Sequence, residues 1–170
     1  MKILAVIDMQ NDFIDGSLGT KEAVNIVPAV AEKIKLFKDS GDEVVFTRDT
    51  HHEDYLSTME GRKLPVVHCV KNTKGWEISA KLDTSGCTII DKPTFGSYNL
   101  AEFIAANPHI DEIVIVGLCT DICVISNAML IKAKLPEIKI TVDSSCCAGV
   151  TPQSHENALS AMKMCHIDII

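Results

Sequence analysis

Cys123 is the residue of this chain whose position most directly indicates chemistry. The segment 117–124, GLCTDICV, joins an apolar run at 113–116 to a segment of helical periodicity from 122 to about 133. The apolar run is typical of a buried strand. A cysteine in the first turn of a helix lies in the positive end of the backbone dipole, which favours thiolate over thiol. We therefore predict that Cys123 is a nucleophile.

Two charged residues, Asp8 and Lys92, follow other predicted strands. A thiol that attacks an amide carbonyl needs a base for its proton, a proton donor for the departing amine and N–H groups for the oxyanion. Asp8 could exchange the proton, and the ammonium of Lys92 would keep Asp8 and Cys123 charged. Each residue taken alone has an ordinary structural interpretation. Three such groups at neighbouring strand ends favour an active site.

A histidine-containing loop at about 49–87 forms a second group of candidates. Asp49 and His51 are two residues apart after a predicted strand, His68 follows seventeen residues after His51, and Glu60 lies between the two histidines. Imidazole and carboxylate ligands suit Zn²⁺, Fe²⁺ or Mn²⁺. From spacing alone, solvent-exposed loop histidines remain the alternative to a metal site.

The elements that must position these residues alternate between short apolar runs and longer helix-period segments. The predicted strands are 3–8, 43–47, 88–91, 112–116, 138–142 and 167–170, and the predicted helices run from an Asn25 cap to about Ser40, then over 100–106, 122–133 and 152–165. This order predicts a parallel sheet with helices on both faces. Ligands bind at the carboxyl ends of such strands, where Asp8, Asp49, Lys92, Cys123 and the segment 143–145 are predicted to lie.

Composition sets the class of protein. The chain has 170 residues, a net charge of −7, 46% apolar residues and 23% charged residues. These values predict one globular domain over 1–170. The negative charge argues against nucleic-acid and anionic-membrane partners, and no apolar stretch reaches the length of a membrane span. Seven cysteines without a recognisable secretory signal predict reduced thiols and a cytoplasmic location.

Three segments carry a resemblance to a known family. The segments 7–13 (IDMQNDF), 91–97 (DKPTFGS) and 117–124 resemble the motifs of the isochorismatase-like cysteine hydrolases, and within them the nicotinamidases. The resemblance implies catalytic roles for Asp8, Lys92 and Cys123. It also implies an oxyanion hole made by the backbone N–H groups of Cys119 and Cys123. A cis peptide just before this turn is common in the family, which implies a cis Leu118–Cys119 bond.

The metal loop places the chain near the nicotinamidase subgroup. The segment 47–51 (TRDTH) resembles its Asp-Trp-His segment, and 64–70 (LPVVHCV) resembles its Trp-Pro-x-His-Cys-Val segment. By this resemblance one divalent metal ion, with zinc favoured over iron or manganese, would hold the pyridine nitrogen of nicotinamide. The implied metal ligands are Asp49, His51 and His68, with Glu60 as a fourth ligand seen in some members, and Phe13 would pack against the substrate ring.

The chain also departs from this subgroup. Thr50 stands where the tryptophan between the first two ligands is usual, Pro65 stands where an aromatic residue is usual, and Asn72 replaces a glycine. The family fold implied is a three-layer α/β/α domain with a six-stranded parallel sheet in a Rossmann-like order. The implied reaction is hydrolysis of nicotinamide through a cysteine thioester.

Two other functions stay open at this point. One is a metal-independent amidase of the same family that acts on another small amide. The other is a non-catalytic ligand-binding or thiol-redox protein on the same scaffold. The exposed helices of such a fold are also compatible with a homo-oligomer.

Overall fold

The structure, a computed structural model that describes residues 1–170, contains one six-stranded sheet in which every paired strand is parallel. The strand order is β3-β2-β1-β4-β5-β6. The strands are β1 (Lys2–Ile7), β2 (Glu43–Asp49), β3 (Thr88–Lys92), β4 (Glu112–Leu118), β5 (Lys139–Ala148) and β6 (Asp168–Ile169). The predicted parallel sheet is therefore confirmed.

Helices cover both faces of the sheet. They are α1 (Asn11–Ile14), α2 (Lys21–Asp39), α3 (Met59–Lys63), α4 (Tyr98–Ala105), α5 (Ile125–Lys134) and α6 (Pro152–Met164). Residues of α4, α5 and α6 share one apolar core with the sheet, and residues of α1 and α2 share the other. None of the helices combines the length and the apolarity that a bilayer span requires.

The central strand β1 shows why the sheet is buried on both sides. Ile3, Ala5 and Ile7 belong to the core beneath α4–α6, whereas Leu4 and Val6 belong to the core beneath α2. Successive side chains of a strand point to opposite faces, so an uninterrupted apolar run requires cover on both. The three-layer α/β/α arrangement follows from this pattern.

The first long helix begins earlier than the sequence predicts. Its N-cap is Thr20, whose hydroxyl accepts a hydrogen bond from the N–H of Ala23 at 3.0 Å, and not Asn25. The prediction was wrong because Ala23, which precedes Asn25, is buried and extends the apolar stripe toward the N-terminus. Asn25 lies inside the helix.

Strand β5 is longer than predicted. It runs on to Ala148, with a register shift in its pairing with β4 between Ile115 and Gly117. Asp143 therefore lies within the strand and not at its carboxyl end. Its carboxylate is 2.7 Å from the Lys33 ammonium of α2, so Asp143 belongs to a helix–sheet ion pair away from the candidate site.

The loop predicted at about 49–87 has little regular structure. It contains a 3₁₀ turn at Tyr55–Ser57, the short helix α3, and two isolated bridges, one antiparallel between Gln10 and Ile78 and one parallel between His51 and Val70. These contacts fold the loop back over the carboxyl ends of the strands. In the strand order, β2 and β3 lie on one side of β1 and β4 to β6 lie on the other. The connections on the two sides therefore run in opposite directions, which leaves a crevice at the carboxyl ends of β1 and β4.

Candidate active site

Lys92 lies at the centre of the candidate site. Its Nζ is 2.7 Å from Asp8 Oδ2, 3.2 Å from Asp49 Oδ1 and 3.5 Å from Cys123 Sγ. It also donates to the Thr94 carbonyl at 3.1 Å. Burial alone would lower the pKa of Lys92, but the charges of Asp8, Cys123 and Asp49 raise it above its ordinary value. One buried ammonium therefore joins three residues that the sequence placed at separate strand ends.

Asp8 is fully buried and its backbone is held in an unusual conformation. Its φ is +47°, a left-handed value that costs energy for a residue other than glycine. Thr47 holds it from β2: the Thr47 hydroxyl donates to Asp8 Oδ1 at 2.7 Å and accepts from the Asp8 N–H at 3.2 Å. Burial raises the pKa of Asp8, and the charge of Lys92 only partly opposes this. Asp8 is thus a stronger base than an exposed carboxylate.

Cys123 differs from the sequence-based expectation in its electrostatics. It lies in a π-helical turn, Thr120–Val124, that precedes α5, and its side chain is buried. Burial raises the pKa of the Cys123 thiol well above its ordinary value, and the charge and hydrogen bond of Asp8 raise it further, against the opposing charge of Lys92. The predicted preference for thiolate is therefore wrong, because desolvation outweighs the field of the helix.

The turn that carries Cys123 is built by its neighbours on β4 and α5. Gly117 has a φ of +120°, and a Cβ there would lie 2.1 Å from the carbonyl oxygen of Ile7, so only glycine fits. The Leu118–Cys119 peptide bond is cis, as the resemblance implies. One turn beyond Cys123, the buried Asn127 side chain donates to the Cys123 carbonyl at 2.8 Å.

Four side chains of the loop and of β2 form a compact donor cluster. Nitrogen and oxygen atoms of Asp49, His51, Glu60 and His68 lie within 4.8 Å of one another. His51 Nε2 is 3.0 Å from Asp49 Oδ2 and 3.4 Å from Glu60 Oε1, yet it has no hydrogen-bond partner of acceptable geometry. A buried nitrogen left without a partner among carboxylate oxygens is the arrangement expected of a metal ligand.

The surroundings of the cluster orient its imidazoles. His68 Nδ1 lies 2.7 Å from the Val66 carbonyl, which can only accept, so Nδ1 carries the proton and Nε2 presents its lone pair. The ring of Tyr55 packs against both histidine rings, with centroids 4.6 Å from that of His51 and 5.0 Å from that of His68. Two nitrogen and two carboxylate donors suit a divalent transition metal ion.

Asp49 links the two groups of residues. Its Oδ1 contacts Lys92, and its Oδ2 lies 3.0 Å from His51 and 3.7 Å from His68. Burial raises the pKa of Asp49, but its contacts with His51 and Lys92 lower it below the ordinary value. Asp49 is therefore an anion shared between the cluster and the lysine.

One cavity joins the nucleophile to the donor cluster. Its volume is about 220 Å³, below the about 300–1,000 Å³ of pockets for drug-sized ligands, which indicates a small ligand. Cys123, Asp49, Glu60 and His68 line it, together with Phe13, whose ring centroid is 5.5 Å from that of His68. The remaining lining residues are mainly apolar: Leu18, Thr20, Leu64, Phe95, Cys119, Ile122 and Val150.

Every residue predicted to act in catalysis, metal binding or substrate binding therefore contributes to one contiguous site, whereas Asp143 does not. Besides the apolar wall of the cavity, the structure places there three polar residues to which the sequence assigned no role: Gln10, Thr47 and Asn127. Asn127 could have been found from its spacing, because residue i+4 of a helix lies on the same face as Cys123. Thr47 carries no such signal, since its role depends on the pairing of β1 with β2.

The fold and the sequence of this chain are similar to those of several known amide hydrolases. A zinc complex of the pyrazinamidase of Pyrococcus horikoshii superposes with a TM-score of 0.88 at 32% identity, covering 99% of this chain and 98% of that one. The nicotinamidase/pyrazinamidase of Mycobacterium tuberculosis is 27% identical over 100% of this chain and 98% of its own length. N-carbamoylsarcosine amidase of Thermoplasma acidophilum superposes with a TM-score of 0.82 at 28% identity, covering 99% and 94%.

The family follows from a match along nearly the whole chain. The family model described as the isochorismatase domain matches residues 2–170, a span that includes all six strands and every residue of the candidate site. The resemblance seen in the sequence motifs is confirmed. This chain belongs to the isochorismatase domain family.

Proposed function

We propose that the protein is a metal-dependent nicotinamidase, which hydrolyses nicotinamide to nicotinate and ammonia through a thioester on Cys123. The observation that carries the proposal is the shared cavity: the Cys123 thiol lines the same small pocket as Asp49, Glu60 and His68, three members of the four-residue donor cluster. A metal-independent amidase would have no use for that cluster. The similarity to pyrazinamidases and nicotinamidases supports the same substrate class.

The first half of the reaction forms the thioester. Cys123 gives its proton to Asp8, and the sulfur attacks the carboxamide carbon. The backbone N–H groups of Cys119 and Cys123 stabilise the oxyanion. Asp8 returns the proton to the nitrogen, the C–N bond breaks and ammonia leaves. The raised pKa of Asp8 suits this exchange, because a stronger base accepts a thiol proton more readily.

The second half releases the acid. A water molecule attacks the thioester carbon while Asp8 takes its proton, the C–S bond breaks, and the sulfur recovers a proton from Asp8. Lys92 contacts Asp8 and Cys123 throughout, so it balances whichever of them carries the negative charge. Lys92 thereby keeps the buried site from holding an uncompensated anion.

Asp49, His51, Glu60 and His68 would hold the metal ion, for which we propose zinc. The unpartnered His51 Nε2 and the inward lone pair of His68 Nε2 fit this role. When bound, such an ion supplies a Lewis acid that can hold an aromatic ring nitrogen. Phe13, 8% exposed at the cavity wall, would contact the face of the substrate ring. Its position supports a flat heteroaromatic substrate.

We propose a cytoplasmic location because the reaction needs a reduced Cys123. Disulfides persist in oxidising compartments, whereas cytoplasmic thiols are kept reduced. The homo-oligomer that the fold is compatible with stays a prediction, and light scattering of the purified protein would measure it.

The proposal is tested by metal content and by ammonia release. We expect about one zinc per chain in protein purified without a metal-affinity tag, and nicotinamide turnover that is lost on chelation and restored by Zn²⁺. His51→Ala should abolish both metal binding and turnover. His52→Ala is the matched control, because His52 is the adjacent histidine and is exposed.

A second pair of variants tests the nucleophile. Cys123→Ala should remove turnover, whereas Cys165→Ala should retain it, because Cys165 is exposed and remote from the cavity lining. Full turnover by Cys123→Ala would refute the thioester route. Protein without metal and without nicotinamide turnover, but active on another amide, would instead assign it to the metal-independent amidases.

A further inference from the structure

We infer that the turn after β1 is the positioning element of the metal site, with Gln10 holding the ligand Asp49 and Asp12 holding the segment that carries His68. The turn begins at Asp8, the proposed base, and its alternate residues reach two different parts of the donor cluster. This inference rests on the metal site of the proposed function and adds two positioning residues that would not themselves bind the metal ion.

Gln10 clamps the backbone of Asp49 on both sides. Its Nε2 donates to the Asp49 carbonyl at 2.8 Å, and its Oε1 accepts from the Asp49 N–H at 2.7 Å. The same Nε2 donates to the Trp76 carbonyl at 2.8 Å. Gln10 is fully buried, so water cannot replace these partners. Because Asp8 precedes Gln10 by two residues, the Gln10 side-chain amide fixes the position of Asp49 relative to Asp8.

Trp76 extends this clamp to the residue between two proposed ligands. Its indole N–H donates to the Thr50 hydroxyl at 2.9 Å, and the Thr50 hydroxyl in turn donates to the Arg48 carbonyl at 3.0 Å. The Arg48 guanidinium lies 3.4 Å from the centroid of the Trp76 ring. Gln10 and Trp76 therefore hold the end of β2 beyond Phe46, the last residue in its register with β1.

Asp12 controls the other half of the cluster through Cys69. Its Oδ2 accepts from the Cys69 N–H at 2.8 Å, and the Cys69 carbonyl accepts from the His51 N–H at 2.9 Å. Cys69 has a φ of +47°, a conformation that needs support from its surroundings. Because Cys69 follows His68 directly, the carboxylate of Asp12 sets the backbone of both histidines.

The space around Asp12 shows that its place is specific. A Cβ at Gly75 would lie 2.1 Å from Asp12 Oδ2, and the Asp12 N–H donates to the Gly75 carbonyl at 3.0 Å. The loop thus approaches the turn so closely that only glycine leaves room for the carboxylate. A close, partly buried and hydrogen-bonded contact of this kind transmits a displacement of the turn to the ligands.

The expected consequence is a preorganised metal site. Residues that orient metal ligands without touching the ion typically change metal affinity or activity by about 10–100-fold when mutated. Gln10→Met keeps the length of the side chain but removes all three hydrogen bonds. Asp12→Ala removes the support of Cys69, whereas Asp12→Asn keeps an oxygen that can accept from its N–H.

The experiment measures Zn²⁺ affinity of the full chain by competition with a chromophoric chelator, in the absence of substrate. We expect Gln10→Met and Asp12→Ala to bind zinc about 10–100-fold more weakly than the unmodified protein, and Asp12→Asn to recover most of the loss. Asp143→Asn is the control for lost stability alone, because it breaks a mostly buried ion pair with Lys33 on another part of the sheet.

The outcomes separate this inference from the proposed function. If the unmodified protein binds zinc and both Gln10→Met and Asp12→Ala bind it with the same affinity, the inference is overturned but the proposed function is not. An equal loss of affinity in Asp143→Asn would also overturn it, because general destabilisation would then explain the effect. If the unmodified protein binds no zinc, the metal site of the proposed function fails together with the inference. Should Gln10→Met not fold, the comparison of Asp12→Ala with Asp12→Asn decides the question.

Discussion

Replacing Lys92 by methionine tests the electrostatic core of the site. The substitution keeps a long unbranched side chain but removes the ammonium, whose Nζ lies 2.7 Å from Asp8 and 3.2 Å from Asp49. Both carboxylates are buried, and Lys92 itself has no exposed side-chain surface. Removing one partner of a buried ion pair typically costs about 3–5 kcal/mol, because a charge is left uncompensated. We expect the free energy of unfolding at neutral pH to fall by that amount.

The pH dependence of this loss follows from Asp8. Burial already raises the pKa of Asp8 above its ordinary 3.8, and Lys92 is the main charge that opposes the rise. Without Lys92 the pKa of Asp8 rises further, so folded Asp8 keeps a proton that the unfolded chain has released. When the pKa of a carboxyl group is higher in the folded protein than in the unfolded chain, the folded protein loses stability as the pH rises above the pKa of the unfolded chain. The loss caused by Lys92→Met should therefore be largest near neutrality and shrink as the pH falls toward about 4.

The assay is urea unfolding of both proteins at several pH values, with a chelator present so that metal binding does not contribute. Lys33→Met is the matched control: its ammonium contacts the single carboxylate of Asp143, and 25% of its side chain is exposed, so we expect a smaller loss. Turnover by Lys92→Met should fall by about 10²–10⁴-fold, because protonated Asp8 cannot act as a base. A loss of stability below about 1 kcal/mol at neutral pH, or one that does not change with pH, would refute the reasoning.

Three further predictions concern the nucleophile turn and the cavity. Gly117→Ala should destabilise the fold by more than Gly41→Ala in urea unfolding, because both have positive φ but only Gly117 meets a carbonyl oxygen, that of Ile7; equal losses would contradict the structure. Asn127→Ala should cost about 1–3 kcal/mol and lower kcat, since the fully buried side chain bonds the Cys123 carbonyl; an unchanged kcat would refute its positioning role. Phe13→Ala should raise the KM for nicotinamide more than it lowers kcat, and an unchanged KM would remove Phe13 from the binding site.

Local sequence patterns accounted for most of the architecture. The apolar run of β1, Lys2–Ile7, alternates between two cores, and such a run can be buried only in a sheet covered on both faces. The alternation of strands and helices then requires parallel crossovers, which bring the strand ends together. Patterns were less reliable at boundaries, since α2 is capped by Thr20 and not by Asn25, and β5 continues to Ala148.

The residue types of the site were readable from the sequence because each follows a strand or opens a helix. Asp8, Lys92 and Cys123 needed only the rule that ligands bind at the carboxyl ends of parallel strands. Spacing alone did not predict that the residues of the donor cluster meet in space, since His51 and His68 are separated by a loop whose path no local pattern predicts. Their convergence depends on long-range contacts that start from the turn after β1.

The sequence by itself determined which chemical groups are available and the order of elements that carries them. Only the tertiary structure decided how these groups behave, because pKa values depend on burial and on the charges within a few ångströms. Cys123 illustrates the difference: its predicted place in the first turn of a helix favours a thiolate, but burial beside Asp8 raises the pKa of the thiol, which then needs a base. Lys92 illustrates the converse: the sequence predicts only a cation near Asp8 and Cys123, and the tertiary structure buries it in contact with Asp8, Asp49 and the nucleophile.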